Sequence, residues 1–348
     1  MAPLPPFADH QQLNALLLST IRLGAWLLLL ALVFLPLERL FALHRRKILS
    51  KSLGSDLGFY FISGLVPSLL LTPPLALVAL GAHAAVPWRL QTAVAALPLW
   101  GRALAALVVS EIGFYWGHRW SHEIPFLWRF HSVHHHPTEV YFLISARAHP
   151  IDNAFTRLCG LIPVYVLGLA TPLTPAGGMV SALLVLALTM WGFLIHANVR
   201  WRLGPLEWVI STPAFHHWHH TLAAPRDRNF ASMLPVVDWV FGTHYLPRKQ
   251  WPAAYGIETK LPGSLAGQLA YPLSLQPSQL HCSEPVAAGR CSPARSASIN
   301  AFSAAGPRPR HSGCPARAGR RFSGPLVSPR QIAENRRNSK EGRRRCAG

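Results

Sequence analysis

The sequence predicts an all-α integral membrane protein, with about four to five membrane-spanning helices carrying a helical, histidine-rich cap. Three observations lead there. Half of the 348 residues are apolar and only 14% are charged, with a positive mean hydropathy. Four or five apolar runs reach the length needed to cross a bilayer. And thirteen of the eighteen histidines lie between His118 and His244, many at helical spacing.

Residues 1–14 read as a loose N-terminus. The first span covers about residues 15–37, interrupted by Arg22, whose long side chain can reach the interface. The loop that follows carries Arg39, Arg45, Arg46, Lys47 and Lys51, which places it on the cytoplasmic side by the positive-inside rule. The second span, about residues 57–80, contains Pro67, Pro73 and Pro74. Missing backbone donors there predict kinks or a re-entrant hairpin. A third span, about 93–115, runs directly into His118. Two further spans, about 155–170 and 179–195, flank the uncharged turn 171–178 and form a hairpin. That hairpin returns His196 to the membrane face of His118. Residues 201–275 read as a soluble-looking segment.

The residues from 276 onward are rich in Ser, Pro, Gly, Ala and Arg and lack apolar periodicity, so they are expected to be disordered. The chain thus divides into 1–54, a helix with its basic loop; 55–275, a catalytic membrane unit; and 276–348, a basic tail. Of the net charge of +19, the stretch 281–348 holds +11 and the first 280 residues +8. Arginines in a tail without a folded platform do not make a nucleic-acid surface, so no nucleic-acid partner is expected. The five cysteines form no CxxC pair, which excludes a zinc ribbon.

The histidines fall into words. GHRWSHEIPFLWRFHSVHHH, residues 117–136, has His118 and His122 at i, i+4, then His131, His134 and His135 at i, i+3, i+4. His216, His219 and His220 repeat the second pattern. Residues three and four apart share a helix face, so each word presents imidazoles side by side. Imidazole suits Zn, Fe, Cu and Ni, and three such words point to a centre with more than one metal ion. A single zinc site needs three or four ligands. An ion path would put ionisable groups along the spans rather than at one face.

HxxxH followed by HxxHH and a second HxxHH, with the flanking words FYWGHRWSH, ARAHP, STPAFHHWHH, RNF and VVDWVFGTHY, resembles the fatty acid hydroxylase/sterol desaturase superfamily over about residues 55–275. HE at 122–123 and LGPLEWVISTP are also similar to alkylglycerol monooxygenase-like members. The resemblance implies a membrane-embedded pair of iron ions, O2 as co-substrate and attack on a C–H bond of a fatty acyl chain, sterol or related lipid. It also implies electrons from a separate cytochrome b5-, ferredoxin- or reductase-type donor. The ligand set it implies is His118, His122, His131, His134, His135, His196, His216, His219 and His220. His149, Glu123, Asn198 and Asp238 follow as possible further ligands or supporting groups. Asp152, Glu207 and Asp227 join Glu123 and Asp238 as candidate acceptors for the outward ring nitrogens. His136 and His217 fall where the family has other residue types. Phe230-Ala231 stands where the family commonly has Tyr-Gly, and Phe215 before the last group is a second departure. Trp116, Trp120, Trp128 and Trp218 are expected to pack or to form an interfacial belt.

The resemblance implies a hydroxylase or desaturase; ether-lipid cleavage and non-redox metal binding are the alternatives. The expected location is a bacterial inner membrane, or the endoplasmic reticulum in a eukaryote, with the metal site on the cytoplasmic face.

Overall fold

The computed structural model describes residues 10–170 and 175–274. The 276–348 tail with its four cysteines, the first nine residues and part of the 171–178 turn lie outside the described residues. Among the described residues there is no β-strand, only the isolated bridges Ala42–Val199 and Thr221–Tyr255.

Four long helices build the membrane part: α1 (His10–Leu40), α2 (Leu53–Ala85), α4 (Leu99–Glu123) and α7 (Pro175–His196). The short α3 (Trp88–Ala95) precedes α4. α1, α2 and α7 are each long and apolar enough to cross a membrane. The predicted third span is broken instead. The first piece ends at Ala95, Pro98 caps the start of the second, and α3 and α4 meet at 114°, so the pair counts as a fourth span only when taken together. The expected fourth span is α6 (Pro150–Val166), whose 17 residues reach only about 25 Å, short of a ~30 Å hydrocarbon core. Among the described residues the count is therefore three or four.

The second span also differs from expectation. α2 runs unbroken through Pro67, Pro73 and Pro74, with no re-entrant hairpin. Each proline costs one intrahelical bond, and packing against neighbouring helices makes such losses tolerable in a membrane.

α4 is the central element. Gly113 and Gly117 face α6 so closely that a Cβ at Gly113 would meet the Cys159 backbone carbonyl, and one at Gly117 would sit 2.7 Å from Cys159 Cβ. Small residues four apart let two backbones approach, the device that replaces hydrophobic drive inside a bilayer. α2, α4, α6 and α7 share one core through Leu75, Ala106, Leu161, Val164 and Leu184. A second core joins α1 to residues 141–144 and the end of α7 through Phe34, Phe142, Phe193 and Val199. These contacts fix the ends of α4 and α7, where His118 and His196 stand.

The cap is made of short helices: α5 (Pro125–His135), α8 (Pro213–His219), α9 (Val236–Val240) and α10 (Leu265–Ala270). Pro125 and Pro213 each open a helix, where a missing N–H costs nothing. The Thr212 side chain caps α8 by accepting from Phe215 N at 3.4 Å.

Candidate metal centre

Nine buried histidines converge in two groups. His118, His122, His131, His135 and His219 form one, and His134, His196, His216 and His220 the other. Within each group the nearest ring nitrogens all lie within 4.8 Å of one another. A metal with M–N bonds of about 2.0–2.1 Å needs donors across the cage no more than ~4.2 Å apart, so a small contraction of either group would close it around an ion.

Each triad of histidines is divided between the two groups. On α5, His131 and His135 belong to the group of five and His134 to the group of four. On α8 and its C-cap the pattern reverses, with His216 and His220 in the group of four and His219 in the group of five. At 3.6 residues per turn, positions i and i+4 lie about 40° apart, while i+3 lies about 100° from i+4. The spacing itself therefore sends the middle histidine to the neighbouring site. The groups touch through the stacked rings of His135 and His220, with centroids 4.4 Å apart.

Six rings hand Nδ1 to an oxygen outside the cage. His118 donates to Phe230 O at 2.7 Å, His134 to Arg147 O at 3.1 Å, His196 to Gly192 O at 2.7 Å and His219 to Arg228 O at 2.8 Å. His122 donates to Asp227 Oδ1 at 3.0 Å and His131 to Asp152 Oδ2 at 2.9 Å. A carbonyl or carboxylate can only accept, so in the neutral ring Nε2 is left as a bare acceptor.

Those acceptors face one another. His134 Nε2 and His196 Nε2 lie 3.3 Å apart with no proton to share, and the buried His219 Nε2 has no hydrogen-bond partner. A buried acceptor without a partner costs roughly 1–3 kcal/mol. Even one such cost is a sizeable share of the ~5–15 kcal/mol that holds an ordinary fold together. A cation at the centre turns this repulsion into attraction, so the donor set fits a pair of metal ions. Burial, and then neighbouring imidazoles, push His134, His135, His216, His219 and His220 well below 6.5. These rings are neutral at pH 7, the form that binds metal.

Residues 103–243, which contain all nine rings, match the fatty acid hydroxylase family. Over these residues the chain is similar to that family. Over 178 residues it is 35% identical to an ornithine lipid hydroxylase (OlsE) of Rhizobium tropici, covering 51% of this chain and 52% of that protein. It is 34% identical over 145 residues to an alkylglycerol monooxygenase of Danio rerio, covering 41% and 30%. With methylsterol monooxygenase 2-2 of Arabidopsis thaliana it shares 29% over 160 residues, 42% and 55%. The chain spans about half the length of the first relative and less than a third of the second. No solved structure matches the chain. The resemblance read from the histidine words is borne out.

The remaining predicted residues serve in other ways. His149 stands outside both groups: its Nδ1 accepts from Ile151 N at 3.2 Å and its Nε2 bonds Leu269 O at 3.2 Å. Glu123 pairs with Arg119 at 2.7 Å on the surface. Asn198 ties the basic loop down through His44, accepting from its N–H at 3.0 Å and donating to its carbonyl at 2.7 Å. Glu207 is held by Arg202. Asp238 acts one bond further out. It accepts from Phe230 N and Ala231 N, both at 2.8 Å, and so fixes the carbonyl that receives His118. His217 bonds Tyr255 and Ala197 O and faces neither group. Trp116 and Trp120 pack on each other and Trp218 is buried, as expected. Trp128 instead lies against the rings of His122 and His135, at 5.2 and 5.7 Å.

Three buried groups went unnoticed in the sequence. Arg147, whose carbonyl receives His134, pairs with Asp56 on α2 and reaches Gln268 Oε1 at 2.8 Å. Tyr141 donates to the same Asp56 at 2.6 Å. Glu111 on α4 is fully buried and accepts from Met233 N at 2.7 Å and Leu234 N at 3.1 Å. A lone acid inside an apolar run was the available signal for Asp56 and Glu111. For Arg147, sequence offered only its place beside His149.

Proposed function

We propose that the protein is an O2-dependent, di-iron lipid monooxygenase that hydroxylates a C–H bond of a fatty acyl chain, sterol or related lipid. The observation that carries this reading is the pair of buried, all-imidazole groups at the ends of apolar helices. One ion would be held by His118, His122, His131, His135 and His219, the other by His134, His196, His216 and His220. A pair of bound iron ions supplies O2 activation and one-electron C–H chemistry.

The chain's own residues prepare that site. Nδ1 bonds to Phe230, Asp227, Asp152, Arg147, Gly192 and Arg228 lock six rings with Nε2 inward. Burial excludes water from the donors, and Asp152 and Asp227 place negative charge behind a set of otherwise neutral ligands. We further propose that residues 55–275 act as the catalytic unit and that electrons come from a separate cytochrome b5-, ferredoxin- or reductase-type protein on the cytoplasmic side. That orientation is supported by the basic loop after α1. Its Ala42 bridges to Val199, three residues past His196, and Arg46 lies 3.5 Å over the Tyr141 ring. Loop and histidines therefore share one face, and the positive-inside rule supports the reading that this face is cytoplasmic.

Oxidation beside an ether oxygen is the second reading, favoured by the likeness to the Danio rerio alkylglycerol monooxygenase. The two are separated by comparing lipids of cells with and without the gene, under air and under 18O2. Hydroxylation leaves an intact lipid heavier by one labelled oxygen, and ether cleavage yields a fatty aldehyde and a free glycerol hydroxyl. No labelled product in either form contradicts both readings.

A further inference from the structure

The chain between His196 and residue 243 leaves a patch of large apolar side chains uncovered. Trp208 and Val209, at the end of the 3₁₀ turn Gly204–Trp208, and Val236, Trp239 and Val240 of α9 are each 50–72% exposed. The Trp208 and Trp239 rings lie 4.7 Å apart and bind the two segments into one ledge. Read as a water-facing surface, so many exposed large residues together have no account.

The depth of the ledge supplies one. Its loop meets α4 well before His118: Glu111 receives Met233 N and Leu234 N, and Phe241 stacks on Tyr115 at 5.0 Å. Glu111 precedes His118 by seven residues, about 10 Å along a helix axis. On α7, Trp191 Nε1 donates to Ser211 O at 3.2 Å and to Ser211 Oγ at 3.0 Å. Trp191 precedes His196 by five residues, about 7.5 Å. Two independent membrane helices thus agree that the ledge lies on the bilayer side of the metal centre. On α4 itself, Leu104, Val108 and Ile112 are 40–56% exposed apolar residues of the span.

Backbone bonding at the ledge has the form a bilayer demands. Non-helical chain in hydrocarbon must satisfy its N–H groups from within the protein. Two buried acids do so. Asp238 takes the N–H groups of Phe230 and Ala231, and Glu111 those of Met233 and Leu234, while Ser211 N donates to Met233 O at 2.8 Å. A carboxylate inside a span is costly, and capping a submerged loop is a role that justifies Glu111.

We propose that residues 204–209 and 236–240 form a ledge immersed in the acyl layer of one leaflet, continuous with the lipid-facing surface of α4, and that its occupant is the membrane's own acyl chains. The ledge therefore presents lipid chains beside the carbonyl-bearing loop that orients His118, and it does so whether or not metal is bound.

The test is nitroxide accessibility in the full-length chain, with the five native cysteines replaced, reconstituted into phosphatidylcholine vesicles. Single labels go at Val236→Cys and Val240→Cys, with Val108→Cys as the lipid-exposed reference and Lys260→Cys as the aqueous one. Collisions with dissolved O2 should exceed those with a neutral nickel chelate several-fold at positions 236 and 240, matching 108, with the reverse at 260. Nickel accessibility at 236 and 240 equal to that at 260 overturns the proposal, because the ledge then faces water. Low accessibility to both quenchers also overturns it, because protein, such as a second copy of the chain, then covers the ledge. The readout needs neither iron nor turnover, so its failure leaves the proposed reaction standing and is distinguishable from failure of that reaction.

Discussion

The two histidine groups are built from the same ligand and largely the same helices, yet they are supported differently. In the group of five, His122 and His131 rest on the carboxylates of Asp227 and Asp152, while His118 and His219 rest on backbone carbonyls. In the group of four, His134 and His196 rest on the carbonyls of Arg147 and Gly192, and no carboxylate bonds its rings directly among the described residues. An anionic acceptor raises the basicity of the ring it holds, so the supports make the two sites unequal although the ligands do not. The group of five should hold its ion more tightly. The other rests on backbone carbonyls alone, and the one under His134 is pinned by the buried Arg147–Asp56 pair.

Ligand deletions give the largest effects. His219→Ala and His134→Ala, one from each group, and His118→Ala are each expected to abolish turnover. Each also drops the bound metal by about one ion per chain while the protein still inserts in the membrane. Elemental analysis beside membrane fractionation checks this, and near-normal turnover in two of the three variants would show that the groups do not act as one centre.

Next come the supports. Asp152→Asn keeps the shape but removes the charge behind His131, and a loss of roughly 10–100-fold in metal affinity is typical for such a partner. The loss should fall on the tighter of two phases when chelator is titrated against the loaded protein. Asp56→Asn should instead weaken the looser phase, by freeing Arg147 and the carbonyl under His134. Equal shifts of both phases in both variants would erase the inequality drawn above.

Acid should produce the smallest effect. His134, His135, His216, His219 and His220 sit well below 6.5 when folded, so the folded chain binds fewer protons than the unfolded one. Their contribution is present above 6.5 and is lost as pH falls below it. The thermal unfolding temperature of the detergent-solubilised protein should fall between pH 7 and pH 5.5, and a flat profile would mean that these rings are already protonated or exposed.

Much of this was legible in the sequence because imidazole spacing is a local property. HxxxH and two HxxHH words named eight of the nine clustered residues, the family resemblance added the lone His196, and the apolar runs located α1, α2 and α7. The division of each triad between two groups was not read, although the 100° step per residue contains it. What is not local stayed hidden. Nothing near Arg147 shows that it meets Asp56, 91 residues away, and nothing near Glu111 shows that it caps a loop beyond residue 230. The third span breaks between Ala95 and Leu99, a stretch that holds Pro98, while Pro67, Pro73 and Pro74 left α2 intact. Tertiary packing decides which prolines a helix survives, and the proline count alone does not.

The central claim is that nine histidines hold two ions of iron at unequal sites. The most direct measurement is the metal content of the purified, lipid-reconstituted chain, read by elemental analysis with Mössbauer spectroscopy on 57Fe-grown protein. The account predicts two irons per chain in two distinct environments, falling to about one in His216→Ala. A single zinc, or one metal ion per chain unchanged by that substitution, would contradict it.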